Sequence, residues 1–233
     1  MNYTTLYNTI QSYTENQFPD VYLASGSTVS ATTQINTFIT QAEQRIYNSV
    51  QFPSLRKNVT GTTTSSNKYL SCPSDFLATY SMAVVDATGA YEYLLNKDVN
   101  FIRQAYPTPT DTAIPKYYAL FGPTVSGVTI SNELSFILGP TPDTVYTIEL
   151  HYYYYPESIT TVASGQTWLG DNFDSVLLYG SLVEAYSFMK GEVDIIAGYD
   201  AKYKEALALA KRLGDGMERQ DAYRSGQYRQ AVT

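Results

Sequence analysis

The chain has 233 residues, 44% of them hydrophobic and only 16% charged, with a net charge of −7. That length buries a real core in one large domain or two small ones, while 15 Lys and Arg against 22 Asp and Glu argue against a grip on nucleic-acid phosphates. A single cysteine and a single histidine leave no disulfide framework and no Cys/His zinc site.

The N-terminal stretch "MNYTTLYNTIQSYTENQF" has neither a basic segment nor an apolar run, so no signal peptide is expected. Nor does any window approach the roughly 18 apolar residues of a membrane span. Tyr3, Leu6, Tyr7, Ile10 and Tyr13 recur at helical spacing and predict an amphipathic helix over 3–14. The stretch 18–30 breaks it with Pro, Asp, Gly and Ser. Ser30 then reads as the N-cap of a helix over 31–50, with Ile35, Phe38, Ile39, Ala42, Ile46 and Val50 as its apolar stripe. Phe52-Pro53 ends it.

From about residue 57 the period changes. A Thr- and Ser-rich stretch leads to two strands over 80–98, joined at Ala87-Thr88-Gly89. A short helix over 97–107 and four strands follow, in "PKYYALFG", "GVTIS", "ELSFILGP" and "TVYTIELHYYYYP". Helix then returns. Asp171 or Asn172 reads as an N-cap, with Phe173, Val176, Leu177, Gly180, Val183 and Tyr186 on one face and an end at Gly191. A second helix over about 192–213 completes an antiparallel hairpin. Beyond Gly214-Asp215-Gly216 the chain is polar, with too little apolar mass to bury itself. That tail is expected to be disordered or ordered on a partner.

The fold class expected is α+β: a helical bundle from the N- and C-terminal thirds with an inserted β-rich domain. The corresponding segments are 1–56, the first part of the helical domain; 57–163, the β-rich insertion; 164–214, the helical hairpin; and 215–233, the tail.

The run "IELHYYYYPESI" demands its own account. On a strand, Ile148, Leu150, Tyr152 and Tyr154 share one face, the plausible core side, and His151, Tyr153 and Tyr155 share the other. The second face is covered within one subunit, covered by a neighbouring subunit or the helical bundle, or left as a stacking platform for sugars. The run alone does not choose among them. Tyr153 and Tyr155 are therefore the candidate interface or packing aromatics.

No nucleophile, phosphate-binding, dinucleotide-binding or zinc-protease motif is present. His151 stands among tyrosines without a Ser or Cys motif, and Cys72 before Pro73 reads as a small buried residue. Asp194 with Asp200, or Glu184 with Glu192, would have to serve as a glycosidase pair, yet both lie on ordinary solvated helix faces. The sequon at 58–60 carries no meaning without export. The reading is a structural or binding protein, not an enzyme, with no cofactor and no metal.

Three stretches carry a resemblance over about residues 30–215. These are "INTFITQAEQRIYNSVQFPSLR"; "KYLSCPSDFLATYSMAV" with its Pro-x-Asp-Phe passage; and "IELHYYYYPESIT…WLGDNFDSVLLYGSLVEAYSFMKGEVDIIAGYDAKYKEALALA". In their order and distances they resemble the head-to-tail adaptor (connector) proteins of tailed bacteriophages. The resemblance implies a virion protein at the capsid vertex, made in the host cytoplasm. It implies a ring of twelve copies between the portal and the tail nozzle protein, with helical bundles around a channel through which DNA passes without specific binding. The C-terminal segment would dock on the portal, which makes Tyr223, Arg224, Tyr228 and Arg229 the candidate portal contacts. The alternative is a carbohydrate-binding or host-recognition tail module, for which the tyrosine-rich β segment is the argument.

Overall fold

The computed structural model describes residues 1–218 apart from 109, 123, 127, 128 and 133. The chain is α+β and divides into two compact units, one built from Met1–Leu55 together with the segment from Tyr155 onward, the other from Arg56–Tyr154.

The first unit opens with helix α1, Tyr3–Thr14, as the spacing predicts, started by Asn2, whose side chain accepts from the Thr5 N–H at 2.8 Å. Leu6 and Ile10 are its buried residues, and Glu15 closes it in the left-handed conformation. A two-stranded ribbon follows, β1 (Val21–Tyr22) and β2 (Thr28–Val29). Ser30 then caps α2, Ala31–Ser49, by accepting from the Thr33 N–H at 3.2 Å. The apolar stripe of α2 is buried as its period requires, and a 3₁₀ turn over Pro53–Leu55 follows.

The β unit contains β3 (Arg56–Thr62), β4 (Tyr69–Ser71), β5 (Ala78–Val85), β6 (Tyr91–Tyr93) and β7 (Leu95–Asn96). Helix α3 (Val99–Ala105) precedes β8 (Tyr117–Phe121), β9 (Thr124–Ser126), β10 (Thr129–Asn132), β11 (Ser135–Gly139) and β12 (Thr147–Tyr153). One sheet has the order β3-β12-β5-β6, a second β4-β11-β8-β7, and β9 pairs with β10 apart from both. Met82, Val84, Ile148, Leu150 and Tyr152 of the first sheet meet Tyr118, Phe136 and Leu138 of the second in one core, so the two sheets stack face to face. The far side of the second sheet is covered by α3, where Ile102 packs with Ala119 and Ile137. That is why every residue of β11 is buried.

The chain returns to helix with α4 (Trp168–Asn172), α5 (Asp174–Phe188) and α6 (Val193–Glu218). Helix α5 is apolar over most of its surface, with Asp174, Ser175 and Ser187 exposed near its ends and Glu184 paired with Arg45, and it buries Val176, Leu177, Leu178, Gly180, Ser181, Leu182, Val183 and Ala185. A helix of that kind belongs in the interior, and α1, α2, α4 and α6 all pack against it. Tyr186 meets Tyr199 at 5.1 Å between ring centroids, and a Cβ on Gly180 would lie 3.2 Å from the Tyr203 ring, so α5 and α6 run antiparallel.

Three local expectations are corrected. The cap of this region is Thr167, which accepts from the Gly170 N–H at 3.2 Å; Asp171 and Asn172 lie inside α4. The chain breaks again at Phe173, whose ring packs beside Phe52 and Trp168 at 5.2 and 5.5 Å. At the end of α5 the left-handed residue is Lys190, with φ 56°, not Gly191. Finally, α6 does not stop at residue 213 but continues through Gly214-Asp215-Gly216 to Glu218. A Cβ on Gly214 would lie 2.6 Å from the Gln51 carbonyl oxygen, so this glycine permits close packing and does not end the helix.

The segment after Tyr155 is fastened to α2 by a buried carboxylate. Glu43, only 2% exposed, accepts from the Ile159 N–H at 2.9 Å. Burial raises its pKa above the ordinary 4.5, against the lowering effect of the Ile159 N–H and the nearby Ser158 hydroxyl. A carboxyl group with a raised folded pKa stabilises fully below its unfolded value, and that contribution is lost as pH rises through the folded value. Glu43→Gln keeps an acceptor oxygen without a charge to bury. Its stability relative to the unchanged protein should therefore improve steadily from mildly acidic to neutral pH, read as urea midpoints. A difference that is constant over that range contradicts the assignment.

Candidate interaction face

Strand β12 is the central strand that holds the tyrosine run, paired with β3 on one side and β5 on the other. Alternation sends Ile148, Leu150 and Tyr152 into the core, at 2%, 4% and 1% exposure. Tyr152 is among the largest fully buried side chains of the protein, and its phenol cannot be left without a partner. It donates to Asp75 Oδ1 at 2.7 Å, while Lys57 Nζ donates to the other carboxylate oxygen at 2.8 Å. Partial burial works against the Asp75 charge, but the Lys57 and Tyr152 hydrogen bonds outweigh it and hold the carboxyl below its ordinary range. The next residue, Phe76, lies 5.8 Å from the Tyr152 ring and 5.3 Å from Phe136.

The opposite side of β12 presents Glu149, His151 and Tyr153. Register places Glu149 opposite Ala83 of β5, and Ala83 opposite Tyr93 of β6. His151 pairs with Ser81 and Tyr152 with Thr79, which leaves Tyr80 as the extra residue of a bulge. Its ring stands on the outer face, 6.0 Å from Tyr153 and 6.4 Å from His151, with the Arg56 guanidinium 4.5 Å above it. Asn58 Nδ2 donates to Glu149 Oε1 at 2.7 Å, and the hydrogen bond to Glu149 pushes the Tyr91 phenol pKa up. Tyr91 and Tyr93 are 56% and 67% exposed. This face is aromatic, polar and open, and no described element of its own unit packs on it.

A comparison with protein families matches the chain over residues 1–230 to the family described as SU10 adaptor protein. The chain belongs to the SU10 adaptor protein family. Among curated proteins none matches it. The family is one of phage structural adaptors, so this is a virion component that associates with other virion proteins.

Two stretches that carry the sequence resemblance meet in this adaptor. The Pro-x-Asp-Phe passage supplies Asp75 and Phe76, and the tyrosine strand supplies Tyr152, the residue both of them contact. Tyr153, half-buried, lies on the outer face beside Tyr80 and Arg56. Tyr155 does not share that face as alternation predicts, because β12 ends at Tyr153. Its phenol donates to Asn48 and its ring is 6.4 Å from Tyr47, all within the helical unit, so it is at least in part a packing residue. Tyr223, Arg224, Tyr228 and Arg229 lie outside the described residues.

The carboxylates weighed for glycosidase chemistry have other partners or solvent: Glu184 pairs with Arg45, Asp200 accepts from Lys204 at 2.7 Å, and Glu192 and Asp194 are exposed. Burial pushes the Cys72 thiol up to about 12, which keeps it an unreactive thiol at the core margin. Among the described residues, no cluster of three or more His, Cys, Asp or Glu could hold a metal ion. Nor, among the described residues, is any helix long and apolar enough to cross a membrane. Glu149, Asn58, Tyr91 and Tyr93 were not legible as a site, since only strand pairing brings them together. The "YEY" alternation was their one local signal.

Tyr152→Phe removes the phenol but leaves the Asp75–Lys57 pair, and should cost about 1 kcal/mol in urea unfolding. Asp75→Ala strands the buried phenol and should cost about 1–3 kcal/mol. Equal stability of both variants and the unchanged protein would contradict the role given to this bond.

Proposed function

We propose that this protein is the head-to-tail adaptor that forms a ring between the portal and the tail nozzle protein and lines the DNA channel. The observation that carries the reading is the family match, which runs from residue 1 to 230 and so takes in every element described above. In this reading the terminal thirds (1–56 and 164–214) form the helical body, 57–163 is the β-rich insertion, and 215–233 is a tail for docking. The packing of α1 and α2 on α5 supports a shared helical body. A twelve-fold ring at the capsid vertex, open to DNA during ejection, follows from the resemblance. An excess of Asp and Glu over Lys and Arg suits a wall past which phosphates must slide.

The portal contacts in this reading are Tyr223, Arg224, Tyr228 and Arg229. Tyrosine and arginine are the residue types that dominate binding energy at protein interfaces, and the tail holds too little apolar mass to bury itself. Tyr153 serves as an aromatic on the face that meets another protein. The rival reading, a carbohydrate-binding or host-recognition module, draws on the exposure of Tyr91 and Tyr93, and a glycan screen addresses it directly.

A chain ending at Glu218, or one carrying alanine at the four tail positions, should keep its helical spectrum and unfolding midpoint. Its capture by the portal of the same phage should fall by about tenfold or more, the loss of one or two interface anchors. Capture at the level of the full chain would remove the tail from the interface.

A further inference from the structure

On the outer face of the β unit one gap has a defined chemistry. Ala83 is its floor, and the row across the sheet places Tyr93 on one side of that alanine and Glu149 on the other. Ser81 and His151 line one end and Tyr91 the other, around a cleft of about 30 Å³. That volume takes a group the size of one or two waters. It takes an alkylammonium head; a sugar ring does not enter it and would have to lie across the top.

The walls favour a cation over a neutral group. Glu149 is held by Asn58 at 2.7 Å, so its carboxylate is anchored by a neutral amide and not by a counter-charge. No Lys or Arg among the described residues forms an ion pair with it. Two exposed tyrosine rings line the same cleft as that carboxylate, and aromatic faces attract cations through their quadrupoles. The same chain already seats its own lysines in this manner. Lys57 lies 5.2 Å from the Tyr154 ring, Lys97 5.4 Å from Phe101, and Lys202 5.4 Å from Tyr179. Tyr91 and Tyr93 have no such cation among the described residues.

We propose that the cleft over Ala83, walled by Tyr91, Tyr93 and Glu149, is the docking point for a lysine side chain of a partner protein. The inference deepens the adaptor reading, because it names the chemistry by which the β unit recognises a neighbour in the virion. Glu149 supplies the charge, the two rings supply the walls, and Ala83 and Ser81 leave the room. A larger residue at position 83 would close the site without touching the core, since Ala83 faces Glu149 while Met82 and Val84 face inward.

The test uses the full chain alone, with blocked lysine (acetyl-lysine methylamide) as the probe and NMR shifts as the readout. Blocked norleucine is the neutral control of similar shape, and methyl glucoside and methyl galactoside are the sugar controls. The expected result is saturable shifts at Ala83, Tyr91 and Tyr93 with lysine and none with norleucine. Affinity should drop about tenfold in Glu149→Gln, which keeps the Asn58 hydrogen bond but loses the charge. Tyr93→Ala, at an exposed position, should weaken binding without altering the rest of the spectrum. An equal response to norleucine, a response to sugars alone, or no response to lysine overturns the proposal. Because no portal is present, a negative result here leaves the ring reading standing, and failure to form a ring leaves the lysine site standing.

Discussion

A phenol at the centre of the β unit has to be hydrogen-bonded, and the organisation of that unit follows from how the demand is met. Tyr152 is 1% exposed, and a buried hydroxyl left without a partner costs about 1–3 kcal/mol. Its partner, Asp75, 36% exposed, carries a charge that Lys57 of β3 helps to hold in place. One bond network thus joins the strand with the tyrosines, its edge neighbour and the turn that delivers Phe76 to the core. The register of β12 then has no freedom. A one-residue slip would send Tyr152 outward and Glu149 or His151 into the sheet interface.

The same register decides what the unit offers to others. With Ile148, Leu150 and Tyr152 turned inward, Glu149, His151 and Tyr153 must face out, beside Tyr80, Tyr91 and Tyr93. The second sheet hides its far side under α3, whereas the first leaves its far side aromatic and open. The tyrosine run therefore serves two environments at once, a hydrogen-bonded core and an exposed polar-aromatic face. In the helical unit the organising constraint is different. Helix α5 has little polar surface to give to water, so α1, α2, α4 and α6 pack against it. Glu43 then secures the segment that follows the β unit through the Ile159 N–H.

Local chemistry was readable where it was sufficient. The bounds of α1 and the Ser30 cap of α2 were legible because a cap and an apolar stripe act within a few residues. The inward set Ile148, Leu150, Tyr152 was legible from alternation. What failed depended on distant neighbours. Gly214 looked like a helix stop because nothing nearby in sequence reveals the Gln51 carbonyl against it. Asp171 and Asn172 looked like caps because the break at Phe173, beside Phe52 and Trp168, belongs to tertiary packing. The cleft over Ala83 joins β5, β6 and β12, which are far apart in the chain, so no spacing rule could assemble it.

The family places the protein among phage structural adaptors, and the ring between portal and nozzle is the claim on which the functional account turns. Mass photometry with negative-stain imaging of the purified chain, alone and mixed with the portal of the same phage, tests it most directly. The account predicts a closed ring of adaptor copies on the portal, with a central opening wide enough for duplex DNA. An adaptor that stays separate from the portal under conditions where both are folded would contradict it.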